Sequence, residues 1–139
     1  MRLVAIPLLA VMATCSTEPP PQLDFEESSE YAHEPIGISG AYTREFELVV
    51  ERSRTDEAEQ VYLEYLHSPD AETRLYGLLG LKIIESDKYP KYLEEILADD
   101  SIVNYGASGC SIMPERSSFV AELLDKSPVD ERARSRFED

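Results

Sequence analysis

The chain has 139 residues, with 13 Lys and Arg against 28 Asp and Glu, a formal charge of −15, two cysteines and no tryptophan. That length holds one small domain with tails and excludes a two-domain enzyme, and the balance of 42% apolar to 29% charged residues describes a folded acidic domain rather than a disordered chain. Phosphate backbones are gripped by clustered Lys and Arg; here the bases are scattered and outnumbered, so the field of the chain repels nucleic acid and anionic headgroups.

Met1-Arg2 supplies a positive charge, and Leu3 to Ala13 is an apolar run broken only by Pro7 before the polar Ser16-Thr17-Glu18. This is the pattern of an export signal over residues 1–14, far short of the ~20 residues a membrane-crossing helix needs. Its removal takes away Arg2 and no acid, so the acidity belongs to the mature chain. The stretch Val11-Met12-Ala13-Thr14-Cys15 resembles the lipobox of bacterial lipoproteins, with Met12 in place of the usual leucine and Thr14 in place of glycine or alanine. The resemblance implies acylation of Cys15, by palmitate or a similar chain, and a membrane contact made through that lipid anchor only. Ser16 after the cysteine resembles lipoproteins sorted to an outer membrane, which implies an envelope protein facing the periplasm. The other processing route is cleavage after Ala13, where Val11 and Ala13 fit the small-residue rule. It yields a soluble secreted protein in which Cys15 and Cys110 are free to form a disulfide, whereas lipidation leaves Cys110 a lone thiol.

Residues 15–36 are rich in Pro, Ser and Glu, including Pro19-Pro20-Pro21, and read as a disordered acidic tether that holds a domain off a surface. A helical domain is expected over residues 37–127. Tyr42, Phe46, Val49 and Val50 share one face of a first helix ending near Arg52 or Arg54. Thr55 is a candidate N-cap for a second, in which Ala58, Val61, Tyr62, Tyr65 and Leu66 recur at helical spacing. Ser68-Pro69-Asp70 offers a cap, a first-turn proline and an acid for a third. That helix is apolar nearly all round from Leu75 to Ile84, which predicts the centre of the core. Gly77 and Gly80 inside it each cost about 1 kcal/mol relative to Ala, which implies a neighbouring helix too close for a side chain. Asp87 is a candidate cap for a fourth helix burying Tyr89, Leu93, Ile96 and Leu97, and Ser117 or Ser118 for a fifth in which Phe119, Val120, Leu123 and Leu124 repeat. Between them, residues 101–113 lack helical period. Their glycines and β-branched neighbours, with Pro114 beyond, predict an irregular or short β segment. Residues 128–139 read as a mobile charged tail.

Helix two, the turn His67-Ser68-Pro69-Asp70, and helix three with Arg74 four residues after the aspartate resemble a HEAT-type helical pair of the short bilin-lyase-like kind. Leu97-Ala98-Asp99-Asp100-Ser101 echoes Leu66 to Asp70, with Asn104 where Arg74 stood, as a degenerate second repeat would. The resemblance spans residues 55–126 and implies a mainly α fold, a short antiparallel array of about five helices, in a protein-binding scaffold. The stretch from Tyr105 to Cys110 also looks like a segment of small bacterial exported proteins of unassigned activity.

Recognisable chemistry is sparse. There is neither a Gly-x-x-x-x-Gly-Lys loop nor a Gly-x-Gly-x-x-Gly turn, so no phosphate cradle. His33-Glu34 is not followed by the second histidine of a zinc peptidase helix, and two histidines without a Cys-x-x-Cys supply a metal poorly. Gly37-Ile38-Ser39-Gly40-Ala41 lacks the last glycine of a nucleophile elbow. Glu26-Glu27, Glu94-Glu95 and Asp99-Asp100 lack calcium-loop spacing and read as a solvated acidic face. No cofactor is therefore expected. Cys110, with Gly109 before it, is the candidate reactive thiol, for which His67 or His33 would be the base. Tyr62, Tyr65, Tyr76 and Tyr105 are the candidate binding surface: tyrosine is enriched at interfaces, and acids around it would suit a basic protein partner. The leading expectation is thus an envelope-anchored, non-catalytic binding or scaffolding module. The alternatives are a small cysteine-dependent enzyme centred on Cys110 and a secreted protein with a Cys15–Cys110 disulfide.

Overall fold

The computed structural model describes residues 30–34, 42–106 and 112–129. The chain runs α1 (Arg44–Arg52), α2 (Ala58–Leu66), α3 (Ala71–Ile83), α4 (Tyr89–Leu97), β1 (Ile102–Gly106), β2 (Ile112–Arg116) and α5 (Ser117–Lys126). It is a mainly helical fold with one short antiparallel hairpin.

Helix α3 is the axis, and α1, α2, α4, α5 and β1 all pack on it. Its side chains are buried on every side from Ala71 to Ile83 except at Arg74 and Lys82. The all-round apolar pattern of Leu75 to Ile83 is what such a position demands. Against α2 the approach is closest at the glycines. A Cβ on Gly77 would stand 2.7 Å from the Tyr62 carbonyl oxygen and 2.9 Å from Leu66 Cγ, and one on Gly80 would run into the Tyr62 ring.

The caps differ in place from those expected. Thr43 caps α1 by accepting from the Phe46 amide at 3.1 Å. Thr55 does not cap α2; its hydroxyl donates back to the Arg52 carbonyl at 2.8 Å, closing the end of α1, and α2 begins at Ala58. Asp70, not Ser68, caps α3, accepting from the Thr73 amide at 3.0 Å, because its carboxylate lies one position before the first helical residue. The end of α3 is a Schellman turn. Ser86 N donates to Leu81 O at 3.0 Å and Glu85 N to Lys82 O at 3.1 Å, which puts Glu85 at φ 54° where glycine is usual. Asp87 does not cap α4; Lys88 holds that position and Ser86 Oγ accepts from the Lys88 amide at 3.2 Å. Neither Ser117 nor Ser118 caps α5 through its hydroxyl. Their amides donate instead to the carbonyls of Ser101, at 2.8 Å, and Asp99, at 3.3 Å. Lys82 closes the other end of α5, its Nζ reaching the carbonyls of Leu124 at 2.7 Å and Asp125 at 2.8 Å, a cation where the helix dipole is negative.

The hairpin pairs Ile102 with Arg116, Asn104 with Pro114 and Gly106 with Ile112. Pro114 lies on the outer strand, where its missing N–H costs no ladder bond and discourages further pairing. The other edge of β1 is taken by Tyr31, whose amide donates to Asn104 O at 2.8 Å and whose carbonyl accepts from Gly106 N at 2.9 Å. This corrects the expected tether of residues 15–36 at residues 30–34, the part of it that lies among the described residues. Tyr31, Ala32 and His33 are buried, and the Tyr31 ring lies 4.7 Å from that of Tyr76. A few aromatic side chains with a strand edge to pair with suffice to order a segment whose average composition is polar. The expected mobile tail from residue 128 is corrected likewise at its start, because Val129 is fully buried.

Arg74 ties the two echoing turns together. Its guanidinium donates to Ser68 O at 2.9 Å and Pro69 O at 3.0 Å in the first, and to Asp99 Oδ2 at 2.9 Å and Ser101 Oγ at 3.3 Å in the second. Burial pushes the Asp99 carboxyl up, but the Ser101 hydroxyl and amide and the Arg74 charge outweigh it and hold the group below its usual range.

Candidate functional site

The tyrosines singled out as a binding surface are core residues. Tyr62 and Tyr76 are fully buried, and Tyr65 and Tyr105 nearly so. The Tyr62 hydroxyl donates to the Val49 carbonyl, and Tyr76 Oη accepts from the Ala32 amide at 3.2 Å and lies 3.2 Å from Thr43 Oγ1. Desolvation raises all four phenols above their usual range. Their periodicity marked an inward face, and tyrosine reads as interface or core equally well in sequence. Cys15 and Cys110 lie outside the described residues. Of the histidines offered as a base, His67 is exposed with Nδ1 against the Leu63 carbonyl, and His33 is buried with Nδ1 3.2 Å from the Tyr31 hydroxyl.

The exposed apolar surface lies elsewhere. Leu97, Ile102, Ile112, Met113 and Phe119 are its large members, all at the end of α4, on the hairpin or on α5. The strand register explains part of this. Met113 pairs with Tyr105 and Glu115 with Val103, so both face the α5 side, while Ile102, Pro114 and Ile112 face the other way. On α5, Val120, Ala121 and Leu124 go into the core, and Phe119, Leu123 and Lys126, spaced i, i+4, i+7, form a stripe along its flank.

Phe119, 44% exposed, stands between two open hollows. One, of about 600 Å³, is lined by Leu97, Glu115, Arg116, Ser118 and Glu122 together with Phe119. The other, of about 540 Å³, lies between the hairpin, α5 and the segment around His33. Met113, Phe119 and Leu123 give it apolar walls, Tyr105 and His33 add rings, and Glu34 and Glu115 add carboxylates. The rings of His33 and Tyr105 are 5.7 Å apart. Burial, then the charges of Glu34 and Glu115, push the Tyr105 phenol up to about 12, so both carboxylates bear on this hollow. Ser127 also lines it, nine-tenths buried, and its hydroxyl has no partner among the described residues.

In the sequence Phe119 is one member of the apolar repeat of the fifth helix, and Met113 has no assigned role. Nothing local tells a core-facing apolar residue from one on a helix flank that the neighbouring hairpin is too narrow to cover. Leu97, expected inside, is 41% exposed for the same reason. Among the described residues no group of three or more His, Cys, Asp or Glu side chains is placed to hold a metal, and no helix is long and apolar enough to cross a membrane. No family model, curated protein or solved structure matches the chain.

Proposed function

We propose that this protein is a non-catalytic protein-binding module of the bacterial cell envelope, anchored through a lipid on Cys15 and built on a HEAT-type pair formed by α2 and α3. The observation that carries the binding role is Phe119, a half-exposed aromatic residue between two open hollows of about 600 and 540 Å³. An exposed aromatic residue flanked by pockets is the form in which interfaces concentrate their binding energy. The bridging of two Asp/Ser turns by Arg74 supports the repeat reading, because it links successive turns as stacked pairs would be linked. The acidic excess of the chain favours a basic partner and steers its approach.

A photo-crosslinking residue placed at Phe119 in the full-length protein, expressed in its source cells, tests this reading. The expected result is an adduct of discrete mass at Phe119, absent when the same group replaces the exposed Glu94 on α4. No adduct, or equal labelling from both positions, would refute it.

A further inference from the structure

The hollow between the hairpin, α5 and the His33 segment has a composition that a merely apolar groove lacks. Its walls combine the rings of Tyr105, Phe119 and His33 with the carboxylates of Glu34 and Glu115 and the aliphatic surface of Met113 and Leu123. Aromatic faces attract cations through the ring quadrupole, and carboxylates add charge and hydrogen-bond acceptors. An aliphatic wall is where the methylene stem of a long basic side chain packs while its head stays polar. An anion is disfavoured here, because it would have to settle between two carboxylates. Lys126 is the only cation lining this hollow among the described residues, and it is exposed.

We propose that this hollow receives an arginine or lysine side chain of the partner protein, its stem against Met113 and Leu123 and its cationic head among Tyr105, Glu34 and Glu115. Ser127, nine-tenths buried and with no hydroxyl partner among the described residues, lies in the same wall. This inference rests on the protein-binding reading and adds the chemical identity of the group recognised.

The test uses the full-length protein and a blocked pentapeptide, acetyl-Ala-Leu-Arg-Leu-Ala-amide, against the same peptide with citrulline at the centre, followed by two-dimensional NMR. Citrulline keeps the shape and three of the five N–H donors, puts a carbonyl oxygen in place of one NH2 group, and removes the charge. The expected result is that the arginine peptide shifts the signals of Tyr105, Met113, Phe119 and Leu123 and binds about tenfold more tightly than the citrulline peptide, the scale of one desolvated cation–aromatic contact. Glu115→Gln should lower the affinity several-fold and Lys126→Met should raise it, and both side chains reach solvent, so the fold is kept. Equal binding of the two peptides in the hollow would overturn the inference and leave a plain apolar docking site. Binding of neither peptide, or shifts confined to other surfaces, would overturn it as well. Failure of the parent reading shows separately, as loss of position-specific crosslinking at Phe119.

Discussion

Replacing Gly80 by alanine sets two physical effects of known size against each other. In a solvent-exposed helix the change is favourable by about 1 kcal/mol, because alanine loses less backbone entropy on folding. At this position the new methyl group would overlap the Tyr62 ring. That ring is fully buried, and its hydroxyl is tied to the Val49 carbonyl on α1, so it cannot swing away without breaking a second helix contact. Overpacking a core costs typically 1–3 kcal/mol, and a collision with an immobile ring belongs at the upper end, so the net effect is a loss of about 2 kcal/mol. For a domain of this size that lowers Tm by roughly 8–16 °C. Urea and thermal unfolding of the full chain measure it. The same substitution in a Tyr62→Leu background should lose most of its penalty, giving a coupling energy above about 1 kcal/mol in the double-mutant cycle. A Gly80→Ala protein as stable as the parent or more so, or strict additivity with Tyr62→Leu, would show that α2 and α3 are not in the close contact described.

Tyr31→Ala should cost about 3–5 kcal/mol, the scale of an aromatic residue deleted from a core, whereas a side chain in a mobile tether would cost almost nothing; chemical denaturation distinguishes the two. Glu85→Gly should stabilise by about 0.5–1 kcal/mol, since glycine takes the left-handed conformation at the end of α3 without strain, and an unchanged unfolding midpoint would contradict that geometry. Burial raises the Glu72 carboxyl above its usual range, with the Asn104 amide opposing the shift and Asp70 adding to it. Its contribution to stability is therefore full below the unfolded value of about 4.3 and is lost as pH rises through the folded value. Glu72→Gln, which keeps an acceptor for the Asn104 amide, should be more stable than the parent at pH 7, by a margin that vanishes toward pH 3. Finally, Cys15→Ser should abolish the added acyl mass of protein recovered from a lipoprotein-processing bacterium; the same unlipidated mass for parent and variant, after allowing for the substitution, would refute the anchor.

Period and glycine placement made much of the fold legible in the sequence. The apolar circumference of Leu75 to Ile83 located the central helix, and Gly77 and Gly80 announced a helix crossing whose partner proved to be the Tyr62 to Leu66 stretch. The loss of helical period after Ser101 located the hairpin. What did not show in the sequence was decided at longer range. Caps shifted by one or two residues because several Ser, Thr and Asp side chains compete near the helix ends, and tertiary carbonyls serve α5 in place of any side chain. Tyr31 and His33 sit in a polar stretch and are ordered by a strand and a helix far along the chain, a contact no local window contains. The candidate hollow was hidden for the same reason, since it joins residues from the His33 segment, both strands and α5.

The hollow is a consequence of the hairpin that follows α4. The Asp99 to Ser101 turn is held to Arg74 through its side chains, where the first turn is held through its carbonyls, and Gly106 and Pro114 disfavour a helix in the segment that follows. A strand forms instead, held to α3 by the Asn104 amide donating to Glu72 at 3.0 Å. A helix at that place would present a broad row of side chains toward α5. A two-stranded ribbon turns only alternate residues to that side, Val103 and Tyr105 from one strand and Met113 and Glu115 from the other. That is enough to cover Val120 and Leu124 and too little to cover Phe119 and Leu123. The flank of α5 therefore stays open beside the buried Tyr31, His33 and Tyr105 rings, and carboxylates rather than further apolar groups close its rim. The hairpin that interrupts the helical array is thus the same feature that leaves a recessed, aromatic and acidic surface beside α5.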